Sequence, residues 1–364
     1  MEQLEVGEMR TGLYERHLAL GAKMVDFAGW EMPLQYKGII HEHLIVRKKV
    51  GIFDVSHMGR VLVKGPEAEK LLDYLSTNKI AGKKELTATY TVWCKESGGV
   101  IDDLIVYKQA HDKFFVVFNA SNRLNDLQHL QQIGADYDVE IEDCFAGGIL
   151  AVQGPNATSV ITKMFKEAQD IKPMRFLPVN FHGEEIIIAR TGYTGAGGFE
   201  FYAPMPVIVQ LWDQILEQGR EYGIEPVGLG ARDTLRLEMG FALYGHELSE
   251  EIAPTESVSR WTVKWDKGDF LGRSALEKLE HNLKKRSQCG IVLKDRGIAR
   301  EGCQVFKEGE PIGKVTSGTM SPSLKKAIAI ILVEGKLQEG ENVEVKIRDK
   351  RCLAEVVKLP FYKC

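Results

Sequence analysis

The stretch GGVIDDLIVYK, Gly98 to Lys108, holds a carboxylate in an unusual setting. Read as a strand, its side chains alternate between faces, so Ile101, Asp103, Ile105 and Tyr107 share one face. An ionised carboxylate on a mostly apolar face is costly to bury unpaired. Either Asp103 is paired, or it faces a pocket where it is available for chemistry. The alternative is that the strand starts later and both Asp102 and Asp103 belong to the turn after Gly98-Gly99, since aspartates favour turns. The next strand, KFFVVFN, ends at Asn119. A four-residue loop sets Asn119 opposite Asp102 and a five-residue loop sets it opposite Asp103. Asn119 also suits a cap for a helix that begins at Ser121 or Asn122.

Two further stretches carry chemistry-bearing side chains on glycine-rich backbone. In RTGYTGAGGFE, Arg190 to Glu200, glycines imply backbone that only glycine adopts or a close approach to a ligand. No Gly-Lys-Ser/Thr follows, so this is not a phosphate-binding P-loop. A long-turned β-hairpin is the plainer reading, and Tyr193 and Glu200 are its side chains able to read a polar heterocycle. In VGLGARDTLRLE, Val227 to Glu238, a glycine-rich entry to a helix places Arg232 in an early turn. A helix N-terminus with an arginine favours a ligand carboxylate; the plainer reading is an Arg232–Asp233 surface pair. His57 in FDVSHMG does not complete a triad, because Ser56 and His57 point to opposite faces of a strand. His41 and His43 are two apart rather than the four a helical zinc pair needs, so no metal site is expected. The basic clusters Arg47-Lys48-Lys49, Lys284-Lys285-Arg286 and Lys325-Lys326 are expected to be solvated faces.

The elements that position these residues follow from length and periodicity. A chain of 364 residues implies two or three domains. Helices are expected at 38–50, at 66–78 after Pro66, at 121–133, from QGP to about 167, at 206–222 and from about 230. Strands are expected at 89–94, 100–108, 113–119, 137–141, 148–152 and 185–190. Residues 58–142 thus read as a compact α+β unit with an antiparallel sheet. After about 285 only short β-type runs remain, at 290–293, 312–316, 327–333, 342–348 and 352–358, which implies a small all-β barrel or sandwich. The segment 268–285 reads as a helical connector.

Composition narrows the function class. Hydrophobic residues make up 44% and charged residues 27%, a globular balance that excludes disorder as the main state. Lys and Arg number 47 against 51 Asp and Glu, so no whole-chain basic footprint points to nucleic acid. The longest clean apolar run, Ala327 to Val333, is far short of the roughly 18–20 residues that span a bilayer. The first ten residues show no secretory signal, and the chain reads as cytoplasmic. The six cysteines, at 94, 144, 289, 303, 352 and 364, lack C-x-x-C spacing and are expected as free thiols.

Taken together, these stretches resemble the aminomethyltransferase (T-protein) family of the glycine cleavage system. The resemblance runs along the whole chain: GAKMVDFAGWEMPLQY, GIFDVSHMG, GGVIDDLIVY, LAVQGP, RTGYTG, GLGARDTLRLE, LYG, VTSGTMSPSLKK and the PFY tail, in family order. It implies an α+β fold, a three-domain folate-binding aminomethyltransferase-like architecture with a C-terminal all-β barrel domain. Residues 1–57 and 145–265 would form a discontinuous folate-binding domain, with 58–144 inserted, 266–285 a helical connector and 286–364 the barrel. It implies transfer of the methylene carbon from the aminomethyl-lipoyl arm of H-protein to tetrahydrofolate, with release of ammonia. Tetrahydrofolate is then a co-substrate, lipoylated H-protein the partner, and no metal, nucleic acid or membrane is involved.

The resemblance also distributes roles. The essential aspartate falls on Asp103, where a carboxylate near the reacting folate nitrogens accepts a proton or stabilises developing positive charge. Glu200 matches the residue that grips the pterin, whose edge offers adjacent N–H donors. Arg232 matches the arginine that faces the benzoyl-glutamate part. Tyr90, Asn119 and Tyr193 match further pocket positions, as do Met58 and Trp261. The chain departs from the pattern in places. GYTGAGG replaces GYTGEDG, so Ala196 and Gly197 stand for two carboxylates; Gly12 stands for a proline, Arg60 for a glutamate, and Val258-Ser259 for Gly-Leu. The loop change motivates an alternative, a folate-dependent demethylase acting on a small methylated compound. A non-enzymatic folate-binding module is the third reading, but the K-G-C-Y-x-G-Q motif of such relatives is absent.

Overall fold

The computed structural model describes residues 9–282 and 285–363. The first eight residues, Lys284 of one basic cluster and Cys364 lie outside the described residues.

Two antiparallel-rich sheets form the larger part of the chain. One has six strands in the order Phe176–Phe181, Glu184–Ala189, Gly198–Pro204, Gly147–Gln153, Val50–Asp54 and Ile224–Pro226. The other has five, Thr87–Cys94, Val100–Ala110, Lys113–Phe118, Gly59–Lys64 and Glu140–Asp143. The chain leaves the first sheet after Asp54, builds the second, and returns at Gly147 beside the strand it left, with Leu150 opposite Asp54.

Alternation along the strands decides what each face buries. One face of the six-stranded sheet, with Ile52, Leu150, Val152, Ile188 and Phe201, packs on the helices Ala157–Ile161 and Met205–Gln218. The outer face of the five-stranded sheet, with Val61, Val63, Val106 and Val116, packs on the helix Ala68–Leu75 and on Leu130 of the helix Arg123–Gly134. The remaining faces meet: Phe53, Ile149, Ile187 and Tyr202 of the first sheet share one core with Tyr107, Phe115 and Val117 of the second. Polar side chains on these inner faces are therefore held between two sheets.

Arg60 explains one departure from the family pattern. It stands where the chain crosses between sheets and donates to the carbonyls of Ser56 at 3.0 Å, Phe145 at 2.6 Å and Gly147 at 3.0 Å. A glutamate could only accept, and these carbonyls have no proton to give.

The six strands Arg286–Leu293, Lys326–Glu334, Glu310–Ser321, Gln304–Lys307, Asn342–Ile347 and Lys350–Val357 close into a barrel. A three-stranded sheet, Met9–Arg10, Trp30–Gln35 and Lys23–Phe27, covers the N-terminal region, where no strands were expected. Other boundaries move. The helix expected to run to about 167 stops at Ile161, and a 3₁₀ turn follows at Lys166–Asp170. The strand expected at 137–141 is Glu140–Asp143, because Tyr137 belongs to the turn that closes the preceding helix. The connector holds one helix, Arg273–Glu280. No helix among the described residues is long and apolar enough to cross a membrane. The five described cysteines are free thiols.

Candidate active site

Asp102 and Asp103 lie in the strand Val100–Ala110, not in the turn before it. The pairing with Thr87–Cys94 slips between Trp93 and Cys94, leaving Ile101 as the extra residue. This bulge has a consequence that alternation alone misses. Ile101 packs into the outer core with Leu104, while Asp103 keeps the inner face with Ile105 and Tyr107. The expected sharing of one face by Ile101 and Asp103 therefore fails at Ile101.

Asn119 follows from the opposite hairpin partner. Ile105 pairs Val117, so two residues further the register sets Asp103 opposite Asn119. The irregularity between Lys108 and Ala110 supplies the needed extra residue. Asn119 serves both aspartates: its backbone N–H donates to Asp102 Oδ2 at 2.9 Å, and its side-chain amide donates to Asp102 Oδ1 at 2.8 Å and Asp103 Oδ1 at 3.2 Å. Its side chain caps no helix. On the other side, Tyr90 Oη donates to Asp103 Oδ2 at 2.9 Å and lies 3.1 Å from Ser259 Oγ. Burial, and next the charge of Asp102, push the Asp103 carboxyl up to about 7. Trp261 is 56% exposed and stacks on the Tyr90 ring at 5.7 Å between centroids.

Glu200 lies in the strand Gly198–Pro204, between Ala151 and Ala189 of its neighbours. Its Oε2 accepts from Thr191 Oγ1, and from Tyr202 Oη at 3.1 Å. Tyr107 Oη, within 2.6 Å of the Tyr202 hydroxyl, completes this support. Oε1 meets no donor among the described residues. Gly198 opens the strand because it has no alternative: its φ is +142°, and a Cβ there would sit 2.1 Å from the Val152 carbonyl oxygen. Gly197, by contrast, stands in open space.

Arg232 lies in the helix Leu229–Glu238, with its guanidinium 4.7 Å over the Tyr193 ring. It forms no ion pair or hydrogen bond among the described residues; Asp233 pairs with Arg236 instead, at 2.8 Å. Burial pulls the Arg232 guanidinium below its usual range, opposed by Glu200 and Tyr193. Tyr193 itself lies within electrostatic reach of Asp103 and donates from its hydroxyl to the Ala242 carbonyl. Met58 packs against the inner core that contains Tyr202 and Ala231. Of the eight predicted positions, Tyr90, Asp103 and Glu200 lie in strands, Arg232 in this helix, Trp261 in an exposed 3₁₀ turn, and Met58, Asn119 and Tyr193 in the loops beside them.

His57 does no triad chemistry. Asp54 is committed to Thr11 Oγ1 at 2.6 Å and His17 Nε2 at 3.0 Å, and Ser56 Oγ to the backbone of Ile149. Burial, and next Arg232, pull the His57 imidazole down to about 3. His41 pairs with Glu225 and His43 with Thr234 and Ser323. Arg47 is a correction. Far from solvated, it is buried against Glu238 at 3.0 Å and the Thr194 carbonyl at 2.6 Å. Residues that sequence reasoning missed include Ser259, Thr191, Tyr202 and Asn122. Only Tyr202 carried a signal, since it shares a strand face with Glu200 two residues away.

The comparisons with known proteins agree along the chain. Residues 13–267 match the GCVT N-terminal domain, and residues 286–363 match the glycine cleavage T-protein C-terminal barrel domain. The chain belongs to the aminomethyltransferase (T-protein) family of the glycine cleavage system. The aminomethyltransferase of Chlorobium luteolum is 43% identical over 360 residues, covering 97% of this chain and 98% of that protein. That of Thermosipho melanesiensis is 45% identical over 357 residues, covering 97% of each. The crystal structure of glycine cleavage system aminomethyltransferase T from Bartonella henselae superposes with a TM-score of 0.91 at 33% identity, over 97% of this chain and 98% of that one. The activity of the family, folate-dependent aminomethyl transfer, is the function of this chain, and the closed C-terminal barrel is the family's own.

Proposed function

We propose that tetrahydrofolate binds against Asp103, Glu200 and Arg232 and that the donor is the aminomethyl-lipoyl arm of H-protein. The single observation that carries this reading is that three ionisable side chains on the inner side of the fold lack an oppositely charged partner among the described residues. Asp103 is a buried carboxyl whose hold on a proton burial strengthens; among the described residues Glu200 keeps Oε1 without a donor, and Arg232 is a half-buried cation without an anion. A folate supplies the complement of each. Its pterin edge offers N–H donors to Glu200, and its benzoyl-glutamate end offers acceptors to the forked guanidinium of Arg232. Asp103 accepts a proton, or balances positive charge, where the methylene carbon moves. Tyr90 and Asn119 hold its two oxygens, Tyr193 carries Arg232 on its ring face, Met58 lines the apolar wall, and Trp261 lies at the rim where a partner's arm would enter.

The domain division follows the same reading. Segments 1–57 and 145–265 act as the folate-binding unit, 58–144 as the insert that brings Asp103 to it, 266–285 as the connector and 286–364 as the barrel. The membership of Val50–Asp54 and Gly147–Gln153 in one sheet supports this.

The test is a transfer assay with aminomethyl-loaded H-protein and tetrahydrofolate, following methylenetetrahydrofolate and ammonia together. Equal amounts of both are expected. Folate binding without either product would move the function to the demethylase alternative, for which the replacement of two family carboxylates by Ala196 and Gly197 is the motivating feature.

A further inference from the structure

Asp103 stands at the head of a row of three carboxyls. Asp102, beside it in the strand, is fully buried, as is Asp126 in the first turn of the helix Arg123–Gly134. Burial raises the Asp102 carboxyl, opposed by the donors around its two oxygens. Its Oδ2 accepts the Asn119 backbone N–H at 2.9 Å, and its Oδ1 accepts the side-chain amides of Asn119 at 2.8 Å and Asn122 at 2.9 Å. Asp126 is its opposite, because neither of its oxygens is paired with an N–H or hydroxyl donor. Its charged neighbour is Asp102, whose carboxyl lies close enough for the two to share a proton.

Two carboxyls share a hydrogen bond only if one of them holds a proton. Three N–H donors favour charge on Asp102 and none favours it on Asp126, so the proton belongs to Asp126. Burial, and next the Asp102 charge, push Asp126 up to about 11, in the same sense. Among the described residues, the hydroxyls of Tyr90 and Tyr193 lie near Asp103 and that of Tyr244, which also feels Glu250, near Asp102, while His129, three residues beyond Asp126 on its helix, is pulled down by burial and next by Lys95. Burial raises all three hydroxyls above the ordinary phenol range, so they face the row as neutral groups.

We propose that Asp126 is a positioning residue: held neutral, it donates its proton to Asp102, keeps Asp102 charged beside Asp103, and so sets how tightly Asp103 holds a proton. Asn119 completes the coupling, since its one side-chain amide donates to both Asp102 and Asp103. The catalytic meaning of this row rests on the reading of Asp103 as the residue that handles the proton, while the row's charge state does not.

The test titrates the full chain, labelled with ¹³C at its aspartate carboxyls, by NMR. The variants Asp103→Asn, Asp102→Asn and Asp126→Asn assign the signals. The Asp126 carboxyl is expected to stay protonated beyond about pH 9. Asp126→Asn keeps an N–H donor to Asp102 and should leave the Asp103 midpoint within about 0.3 pH unit, whereas Asp102→Asn should lower it by about one pH unit or more. The proposal is overturned if Asp126→Asn lowers the Asp103 midpoint as far as Asp102→Asn does, or if Asp126 titrates with ordinary aspartates. Transfer rates give a second readout. Asp126→Asn should keep the wild-type pH midpoint and a kcat within about threefold, while Asp126→Ala, without a donor, should lose about tenfold or more in kcat with the folate KM little changed. Equal losses in both variants would also overturn it. Because the titration needs no substrate, an Asp103 midpoint that the transfer rate ignores would count against the role of Asp103 alone.

Discussion

Replacing Tyr90 by phenylalanine removes one O–H and keeps the ring that stacks under Trp261. That hydroxyl donates to Asp103 Oδ2 at 2.9 Å. A hydrogen bond to a charged group contributes ~1.5–3 kcal/mol. The donor favours the ionised carboxyl, so its loss raises the Asp103 midpoint, by about one to two pH units at ~1.36 kcal/mol per unit. Starting from about 7, the ionised fraction at pH 7.5 falls from roughly three quarters to between roughly a quarter and a few per cent. If proton acceptance by the carboxylate limits the rate, kcat at that pH falls about 3- to 25-fold and recovers as the pH approaches ~9.5. The assay is single-turnover transfer at saturating tetrahydrofolate across this range. A loss that is constant with pH, or a midpoint that moves down, would refute the reasoning and assign Tyr90 to stacking rather than to the charge of Asp103.

Other substitutions test the remaining parts of the site. Asp103→Asn should lower transfer by about 100-fold or more while folate still binds, and retained turnover would sink its role. The same variant should gain stability relative to wild type at pH 8 but not at pH 4. A midpoint of about 7 lies above that of an unfolded aspartate, so the native-state preference for the proton stabilises at low pH and is lost as the pH rises through 7. Thermal melting at the two pH values checks this. Arg232→Gln should raise the KM for tetrahydrofolate about tenfold or more with kcat little changed, because it removes a cation that has no protein partner. A loss confined to kcat would instead put Arg232 in the chemical step. Arg60→Glu should cost about 3 kcal/mol or more in urea unfolding, since it strands three buried carbonyls and adds an unpaired buried charge; unchanged stability would show that the crossover tolerates the family's usual residue.

Much of this was legible because it depends on local pattern. Asp103 stood out as a charge on an apolar face, the glycine run before Glu200 as backbone with few alternatives, and the last eighty residues as strands without helices. What was not legible depends on register and crossing. The one-residue bulge at Ile101 is invisible to alternation, yet it decides which core Ile101 joins. Arg47 reads as the first of three exposed cations, and only the packing of the helix Ile39–Lys48 against Leu229–Glu238 shows that its partner is Glu238, far along the chain.

The sequence by itself determined the family and most element types beyond the N-terminal sheet, because these follow from side-chain identity and short spacing. Only the tertiary structure decided the burial and partners of the site residues. Asp102, Asp103 and Asp126 are alike in sequence. Their different proton affinities arise from which donors surround each one once water is removed. That desolvation is a property of two sheets and a helix closing together, which no single segment of the chain contains.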